Sequence, residues 1–447
     1  MKVKMTSKFI TIIMIFLLTC TSFGVQGVFL KQTYSEASET TTIDFGDLFF
    51  DLKMLFFMNL AKMPSISSCV IEGDEVIWSN SYGFYDLENR KPATENTIYN
   101  IGSISKTITG TALMQLWEQG FFDLDEDVNN YLPFSLRNPN FPNESITFRM
   151  LLSHSSSINP LGGIPLFEEY IWSNFSGDPP LSFSPYPWLE EYLIPGGKWY
   201  SPTIWSSYYH PGDYTMYSNV NFEIVCYLVE LISGEIFVDY CKNHIFQPLE
   251  MYNTSFNLSE LDIDNVAIPY HYNNGKYLQI NELSYILGYY TPPEKYWRIR
   301  PYAVGGLYTS VFDLSHFFIA HLNGGVWNDI RILEEETVEE MHTIQPPGNL
   351  DPIGGCYHGL AWTIMDTPFS FSVSGHNGGN LGVTTYMYSV LSEDFSVIGF
   401  YNGDTLFDQS KKMYLRNFIS NLIIPISLLR KAGFNLFSHI ELRTIGS

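Results

Sequence analysis

The spacing of apolar and polar positions predicts strands near both ends of the chain and helices between them. Residues 66–85 form short apolar and β-branched runs broken at Gly73-Asp74, which predicts a β-hairpin. Residues 356–402 return to strand-like runs separated by glycine turns. Helical spacing predicts helices over 103–118, 220–232, 235–246, 334–342 and 313–322, the last capped by Asp313. The pattern therefore predicts an α+β fold, with one sheet built from distant segments and a mainly helical subdomain inserted between them.

Composition indicates a large folded core and disfavours nucleic acid as a partner. The 447 residues are 45% hydrophobic and only 16% charged, so the chain can bury enough apolar surface to exclude disorder as its main state. The formal charge is −23, from 47 Asp+Glu against 24 Lys+Arg, and such a cation-poor surface repels phosphate backbones. The cysteines after residue 27 fit no CxxC pattern, so we expect buried thiols.

The first 27 residues have the organisation of a secretory signal peptide. Three lysines within the first eight residues precede an apolar run over 9–18, and small and polar residues over 19–27 follow. We therefore expect export, to an extracellular, periplasmic or membrane-anchored position on the outer face. Cleavage after residue 27 and an uncleaved membrane anchor are the two alternatives. Residues 28–44 are polar and predict a loose N-terminal segment.

The C-terminal residues 406–447 are predicted to form a helical tail, for which two roles are open. From residue 411 onward the tail has six Lys or Arg and one Glu, on an otherwise acidic chain. Its apolar positions could form a face that binds a membrane surface. The same positions could instead pack against the sheet, and Pro425 interrupts the pattern that a membrane-binding helix would need.

The candidate catalytic chemistry begins at Ser103. Ser103 and Lys106 form an S-x-x-K motif, and no other lysine has a serine three positions earlier. Positions i and i+3 of a helix share a face, so we expect the Lys106 ammonium beside the Ser103 hydroxyl. Ser103 also lies in the first turn of its predicted helix, where unpaired N–H groups favour a developing negative charge. A serine needs such help because its hydroxyl is a poor nucleophile at neutral pH.

A second motif supplies a candidate general base. Tyr217 and Asn219 form a Y-x-N motif directly before the helix predicted to begin at Val220. A phenol held near a lysine can have a lowered pKa and act as a base. The Asn219 amide can donate and accept hydrogen bonds, both to a bound amide and to Lys106. A second Y-x-N, at Tyr272, lies in a Gly/Asn turn with no helix after it.

A third motif follows a predicted strand. His376-Asn377-Gly378-Gly379 comes directly after the strand-like run over 369–374. The glycines would let a substrate lie directly against the strand edge. The alternative is that His376 is a turn histidine on a glycine-rich hairpin.

In their order and separation, the three motifs resemble those of serine β-lactamases and penicillin-recognising enzymes. The branch that the chain resembles contains class C β-lactamases, D,D-carboxypeptidases, D-aminopeptidases and related esterases. The resemblance covers roughly residues 45–405 and implies an antiparallel sheet flanked by helices, with an inserted, mainly helical subdomain. Further segments that are similar to the family lie at 100–106, 120–128, 146–156, 245–251 and 305–310.

The resemblance implies acyl transfer through a covalent intermediate on Ser103. Lys106 and Tyr217 would take up the serine proton and return it to the leaving group. The backbone N–H groups of Ser103 and Gly379 would form the oxyanion hole, each donor contributing about 3–4 kcal/mol. The implied partner is a small-molecule or short-peptide substrate, and no metal or other cofactor is required. The H-E-x-x-H and G-x-S-x-G motifs are both absent from the sequence.

His376 departs from the β-lactamase pattern. β-lactamases usually have Lys at this position, whereas His-x-Gly is common in the peptidase and esterase branches. A neutral histidine attracts a substrate carboxylate less than a permanent cation does. We therefore expect an esterase, a D-amino-acid peptidase or a weak β-lactamase. In that interpretation the substrate-binding residues are Asn219, His376, Gly378 and Gly379.

Two other classes of function are compatible with the sequence. The first is a catalytically quiet binding or scaffold protein of the same fold, although the intact Ser103, Lys106 and Tyr217 argue against it. The second is a glycan-binding surface protein, supported by the Tyr and Trp residues concentrated over 184–217. Those aromatic side chains could line a substrate cleft, or they could pack within a long loop.

Overall fold

The described part of the chain contains the strands and helices on which the three motifs lie. The predicted signal peptide over 1–27, the loose segment over 28–44 and the C-terminal tail over 406–447 lie outside it. The computed structural model describes residues 61–159, 188–280, 302–352, 354–366, 372–390 and 394–404, together with Leu55, Met58, Asn59 and Gly162.

One eight-stranded sheet forms the centre of the described structure, and distant parts of the chain contribute its strands. All its neighbouring pairs are antiparallel. In sheet order the strands are β10 (Tyr357–His358), β11 (Thr363–Asp366), β12 (Ser372–Asn380), β13 (Val383–Val390), β14 (Phe395–Tyr401), β1 (Ser65–Glu72), β2 (Glu75–Asp86) and β3 (Lys91–Pro92). The hairpin predicted at Gly73-Asp74 joins β1 and β2. The predicted α+β fold with one sheet from distant segments is confirmed.

Between β3 and β10, most of the described secondary structure is helical, as the sequence predicts. Its described helices are α1 (Ser105–Glu118), α2 (Phe148–Leu152), α3 (Trp188–Leu193), α4 (Asn219–Ser233), α5 (Phe237–Cys241), α6 (Tyr302–Gly305), α7 (Val311–Leu322) and α8 (Glu335–His342). Short antiparallel pairs join β4 (Tyr99–Asn100) to β7 (Tyr308–Thr309), β5 (Tyr270–Asn273) to β6 (Lys276–Gln279), and β8 (Val326–Trp327) to β9 (Ile330–Arg331).

Two helices differ from their predicted bounds: one begins earlier than predicted, and the other is divided into two parts. Asp313 is not the cap of α7, because the Ser310 hydroxyl accepts a hydrogen bond from the Asp313 backbone N–H at 3.0 Å. Ser310 has the extended backbone of an N-cap, whereas Asp313 already lies in the first helical turn. The helix predicted over 235–246 is divided into α5 and a π-helical turn, Lys242–Phe246.

Helix α1 lies at the centre of the molecule and is buried on every face over residues 105–116. It packs against α4 and α6. Gly110 allows a close approach of the chain at Ala361, since a Cβ on Gly110 would lie 2.3 Å from the Ala361 Cβ. This packing holds the beginning of α1, and with it Ser103, in a fixed position.

Three of the nine aromatic side chains between 188 and 217 are buried, two are exposed and four are partly exposed. Trp188, Tyr192 and Trp205 are buried in the main core, whereas Tyr208 is 86% exposed. Packing therefore accounts for several of the aromatic residues that could have lined a cleft. The four described cysteines are buried and form no disulfide, as expected. Within the same described ranges, no helix combines the length and the apolar character needed to cross a membrane.

Candidate active site

Ser103 lies in a single 3₁₀ turn, Gly102–Ile104, that leads directly into α1. Gly102 has a φ of +52°, a left-handed conformation that residues with a side chain rarely adopt. A Cβ on Gly102 would also lie 2.8 Å from the backbone nitrogen of Gly379 on β12. Ser103 itself is only partly buried. The nucleophile is therefore held at the junction of helix and sheet while it remains accessible.

Lys106 lies beside Ser103, one helical turn further along the chain. Its Nζ hydrogen bonds to Ser103 Oγ at 3.0 Å and donates to the Val304 carbonyl at 2.6 Å. The side chain is fully buried, and burial lowers the pKa of Lys106 to about 7, while Glu223 opposes the shift. A large fraction of Lys106 is therefore the uncharged amine at neutral pH, the form that can accept the Ser103 proton.

Tyr217 borders Lys106 without hydrogen bonding to it. Lys106 Nζ lies 5.1 Å from the centroid of the Tyr217 ring. The Tyr217 residue is partly exposed, but its hydroxyl is buried and has no hydrogen-bond partner among the described residues. Burial raises the pKa of Tyr217, and the nearby Ser103 hydroxyl offsets only part of the rise. The prediction of a lowered Tyr217 pKa is therefore wrong, because burial disfavours the charged phenolate.

Asn219 is the first residue of α4 and is exposed. Within the described part of the chain it makes no hydrogen bond to Lys106, whose ammonium is directed to Ser103 and Val304. The predicted contact between Asn219 and Lys106 is therefore wrong. Binding of a substrate amide by the exposed Asn219 side chain stays a prediction.

His376 is a buried residue of strand β12 and not a turn residue. Its Nδ1 donates a hydrogen bond to the Asn377 carbonyl at 2.7 Å, and its ring centroid lies 6.1 Å from that of Tyr217. Burial lowers the pKa of His376 to about 3, and the positive charge of Lys106 adds to the shift. His376 is therefore neutral at physiological pH, more completely than a histidine of ordinary pKa would be.

The two glycines after His376 have different surroundings. A Cβ on Gly378 would lie 2.0 Å from the Ile101 carbonyl oxygen and 2.4 Å from Thr385 Oγ1. Strand β12 can therefore approach the Ser103 segment because Gly378 has no side chain. Gly379 is exposed, and the nearest atom to an added Cβ lies 3.9 Å away. The free space predicted beside both glycines is found at Gly379, whereas Gly378 is covered by the protein itself.

Comparison with known protein families shows which family this chain belongs to. A family model described as Beta-lactamase matches residues 56–418, which is more than half of the chain. The chain belongs to the beta-lactamase family. The predicted β-lactamase/transpeptidase-like fold is thereby confirmed. The family match supports a serine hydrolase, and Ser103 with Lys106 would supply the nucleophile and the base of such an enzyme.

Individual relatives of this beta-lactamase family member have low sequence identity to it, but the similarity extends over most of both chains. Penicillin-binding protein 4* of Bacillus subtilis is 22% identical over 369 residues, which cover 79% of this chain and 72% of that protein. The octameric penicillin-binding protein homologue from Pyrococcus abyssi is 25% identical with a TM-score of 0.64, over 89% and 79% of the two chains. D-amino acid amidase from Ochrobactrum anthropi SV3, at 18% identity, has a TM-score of 0.62 over 84% and 99%, and shows the same fold.

Glu223 is a buried acid beside Lys106 that lies outside the three sequence motifs. It is on α4 and is only 1% exposed. Burial raises the pKa of Glu223 to about 8, although the Lys106 charge opposes the rise. The two buried groups therefore affect each other's charge: a negative charge on Glu223 raises the pKa of Lys106, and a positive charge on Lys106 lowers that of Glu223. The signal for it in the sequence is a single acid within the apolar run over 220–229.

His154 forms a further part of the site that the motifs do not include. Its ring centroid lies 4.4 Å from that of Tyr217, and its Nδ1 accepts a hydrogen bond from the Ser218 backbone N–H at 3.1 Å. Its own carbonyl accepts one from the Met216 N–H at 2.8 Å. Burial lowers the pKa of His154 well below its usual value, so the ring is neutral. His154 therefore positions the backbone on both sides of Tyr217.

Proposed function

We propose that the chain is an exported serine hydrolase that transfers acyl groups from small uncharged esters or amides to water through a covalent intermediate. The observation that carries the proposal is the 3.0 Å contact between Ser103 Oγ and the buried Lys106 amine. Export rests on the sequence of residues 1–27 and stays a prediction.

In the proposed acylation step, the uncharged Lys106 amine takes the Ser103 proton as Ser103 Oγ attacks the substrate carbonyl. The Ser103 N–H lies at the beginning of α1, and the Gly379 nitrogen lies next to Gly102 on the exposed edge of β12. These two N–H groups are the proposed donors to the oxyanion, and removal of one such donor typically costs about 3–4 kcal/mol. When the tetrahedral intermediate collapses, the proton passes to the leaving oxygen or nitrogen.

Tyr217 enters this scheme as a neutral phenol. With its pKa raised by burial, the Tyr217 hydroxyl beside Ser103 can donate a proton towards the leaving group but does not act as a phenolate. Its hydroxyl has no hydrogen-bond partner among the described residues, so it is available to a substrate atom. In deacylation a water molecule takes the place of the leaving group and gives its proton to Lys106.

The neutral His376 supports the choice of substrate class. A penicillin or a peptide with a free C-terminus has a carboxylate, which gains from a fixed cation in the site. His376 supplies none, because burial lowers its pKa to about 3. An uncharged ester or amide does not depend on that cation. The D-amino acid amidase that shares the fold acts on amides, which is compatible with this substrate class.

The test compares kcat/KM for nitrocefin, which has a carboxylate, with kcat/KM for p-nitrophenyl acetate. We expect the wild-type protein to prefer the acetate ester. His376→Lys should raise the nitrocefin-to-ester ratio at least ~10-fold, because a lysine amine is a much stronger base than imidazole and more readily carries a positive charge beside a substrate carboxylate.

The matched control is His210→Lys. His210 lies in the loop before Tyr217, where its Nδ1 contacts Glu144 at 2.5 Å, and this change should leave the ratio unaltered. Strong preference of the wild type for nitrocefin, or an equal response of both variants, would contradict the proposed role of His376.

A further inference from the structure

A second cluster of reactive side chains lies next to the site, in the segment between α8 and β11. Asp351 is fully buried, and Cys356 and His358 are each 4% exposed. The Asp351, Cys356 and His358 ligand atoms all lie within 4.8 Å of one another. The His358 ring centroid is 5.0 Å from that of His154 and 6.1 Å from that of Tyr217. The cluster therefore lies next to the His154 and Tyr217 rings of the candidate active site.

The thiol and the carboxylate converge on the same imidazole nitrogen. Cys356 Sγ lies 3.6 Å from His358 Nε2, and Asp351 Oδ2 lies 3.2 Å from that same atom. In a nucleophilic relay the thiol and the carboxylate occupy opposite ring nitrogens, so that one accepts a proton and the other donates one. A single nitrogen cannot do both. The arrangement is therefore not a Cys-His-Asp catalytic triad.

Two of the three distances between the ligand atoms are close to those of a tetrahedral zinc site. With Zn–S of about 2.3 Å, Zn–N of about 2.0–2.1 Å and Zn–O of about 2.0–2.2 Å, a tetrahedron places S and N about 3.5–3.6 Å apart and N and O about 3.3–3.5 Å apart. The corresponding distances here are 3.6 Å and 3.2 Å. Thiolate, imidazole and carboxylate are also the ligand types that zinc prefers in proteins.

The backbone holds the three side chains in this arrangement. The Asp351 N–H donates to the Cys356 carbonyl, and the Gly355 N–H donates to the Asp351 carbonyl, both at 2.8 Å. His358 is the last residue of β10 and Cys356 directly precedes the strand, and the 3.6 Å distance between Cys356 Sγ and His358 Nε2 places both side chains on the same side. A Cβ on Gly354 would lie 2.8 Å from Cys356 Sγ and 3.2 Å from Asp351 Oδ2, so the glycine keeps the space between the ligands open.

We propose that Asp351 Oδ2, Cys356 Sγ and His358 Nε2 bind a divalent zinc-type ion, with water as the fourth ligand. On binding, the Cys356 thiol gives its proton to solvent, and neutral His358 binds through the lone pair of Nε2 while Nδ1 holds the ring proton. The ion would join the loop at 351 to strand β10 behind Tyr217. It takes no part in the proposed serine chemistry, which needs no metal.

The test is a titration of the full chain with Co²⁺ after chelator treatment. We expect one cobalt ion per chain, a thiolate-to-cobalt charge-transfer absorption band, and its loss when Zn²⁺ is added in competition. Cys356→Ser should abolish the band, whereas Cys69→Ser, which removes a buried thiol on β1, should keep it. Ser103→Ala should also keep it, which separates this proposal from the proposed hydrolase.

A second variant guards against loss of the fold. Asp351→Asn keeps the shape of the side chain and removes its charge, so it should weaken Co²⁺ binding at least ~10-fold while the circular dichroism spectrum is retained. Absence of a thiolate band in folded wild-type protein would overturn the proposal. So would a band that persists in Cys356→Ser, or unchanged Co²⁺ affinity in folded Asp351→Asn.

Discussion

Lys106 shows how burial can convert an ordinary lysine into a base. An exposed lysine has a pKa near 10.4 and is almost wholly protonated at neutral pH, so it cannot accept the Ser103 proton. Burial lowers the pKa of Lys106 to about 7. Below that pH the side chain is an ammonium, and as the pH rises through about 7 the reactive amine accumulates. The activity of the site should follow that titration.

We predict that kcat/KM for p-nitrophenyl acetate rises about tenfold per pH unit below about pH 7 and reaches a plateau above it. Glu223→Gln should move this rising limb to lower pH, because a carboxylate at 223 stabilises the Lys106 cation. The exposed Glu336→Gln, on α8, is the control and should leave the limb in place. A limb near pH 10, or a shift to higher pH in Glu223→Gln, would be evidence against Lys106 as the base.

Tyr217→Phe removes a hydroxyl that is buried without a hydrogen-bond partner among the described residues. The loss should therefore change the midpoint of thermal unfolding little, since the only interaction removed is the weak one with the nearby Ser103 hydroxyl. Turnover of p-nitrophenyl acetate should fall ~10²-fold, because proton transfer to the leaving group is impaired.

The control for this change is Tyr272→Phe, in strand β5 of the small hairpin, which should have little effect on either measurement. Greater loss of turnover in Tyr272→Phe than in Tyr217→Phe would show that the wrong Y-x-N motif has been assigned to the site.

At the scale of elements, the site is a contact between the turn before α1 and strand β12. Gly102 adopts a left-handed backbone there, and Gly378 lies against the Ile101 carbonyl. Both glycines are needed so that two backbones can meet without intervening side chains. This contact brings Ser103 to the strand edge that Gly379 leaves open.

Gly378→Ala should destabilise the protein, because its Cβ would lie 2.0 Å from backbone that cannot easily move. Overpacking of this kind typically costs about 1–3 kcal/mol, which a urea denaturation curve can measure. Gly379→Ala is the matched control, one residue away on the same strand, and should keep wild-type stability because its Cβ meets open space. Equal stability of the two variants would contradict the described contact between β12 and the Ser103 segment.

Local sequence patterns predicted the elements better than their ends. The hairpin at Gly73-Asp74 and the bounds of α4 follow from apolar spacing and from Gly234, which adopts the left-handed conformation after the helix. The cap of α7 was assigned to Asp313 because aspartate and serine compete for the same role. The choice of Ser310 depends on its extended backbone, which the residue type alone does not determine.

At the scale of the molecule, the fold joins motifs that are far apart in sequence. Ser103 and Lys106 could be predicted because their chemistry and their spacing lie within one helical turn. The raised pKa of Tyr217 and the large fall in the pKa of His376 could not, since both result from burial by segments distant in the chain. The proximity of Glu223 to Lys106 could not be predicted either, because the two residues lie on different helices that only the fold brings together.

Labelling of the nucleophile tests the central claim, acyl transfer through Ser103, most directly. The full chain is treated with a fluorophosphonate, its mass is measured, and the labelled peptide is mapped. We expect one label per chain, located on Ser103, with no label and no hydrolysis of p-nitrophenyl acetate in a folded Ser103→Ala variant. A label on another residue, or undiminished hydrolysis by folded Ser103→Ala, would contradict the claim.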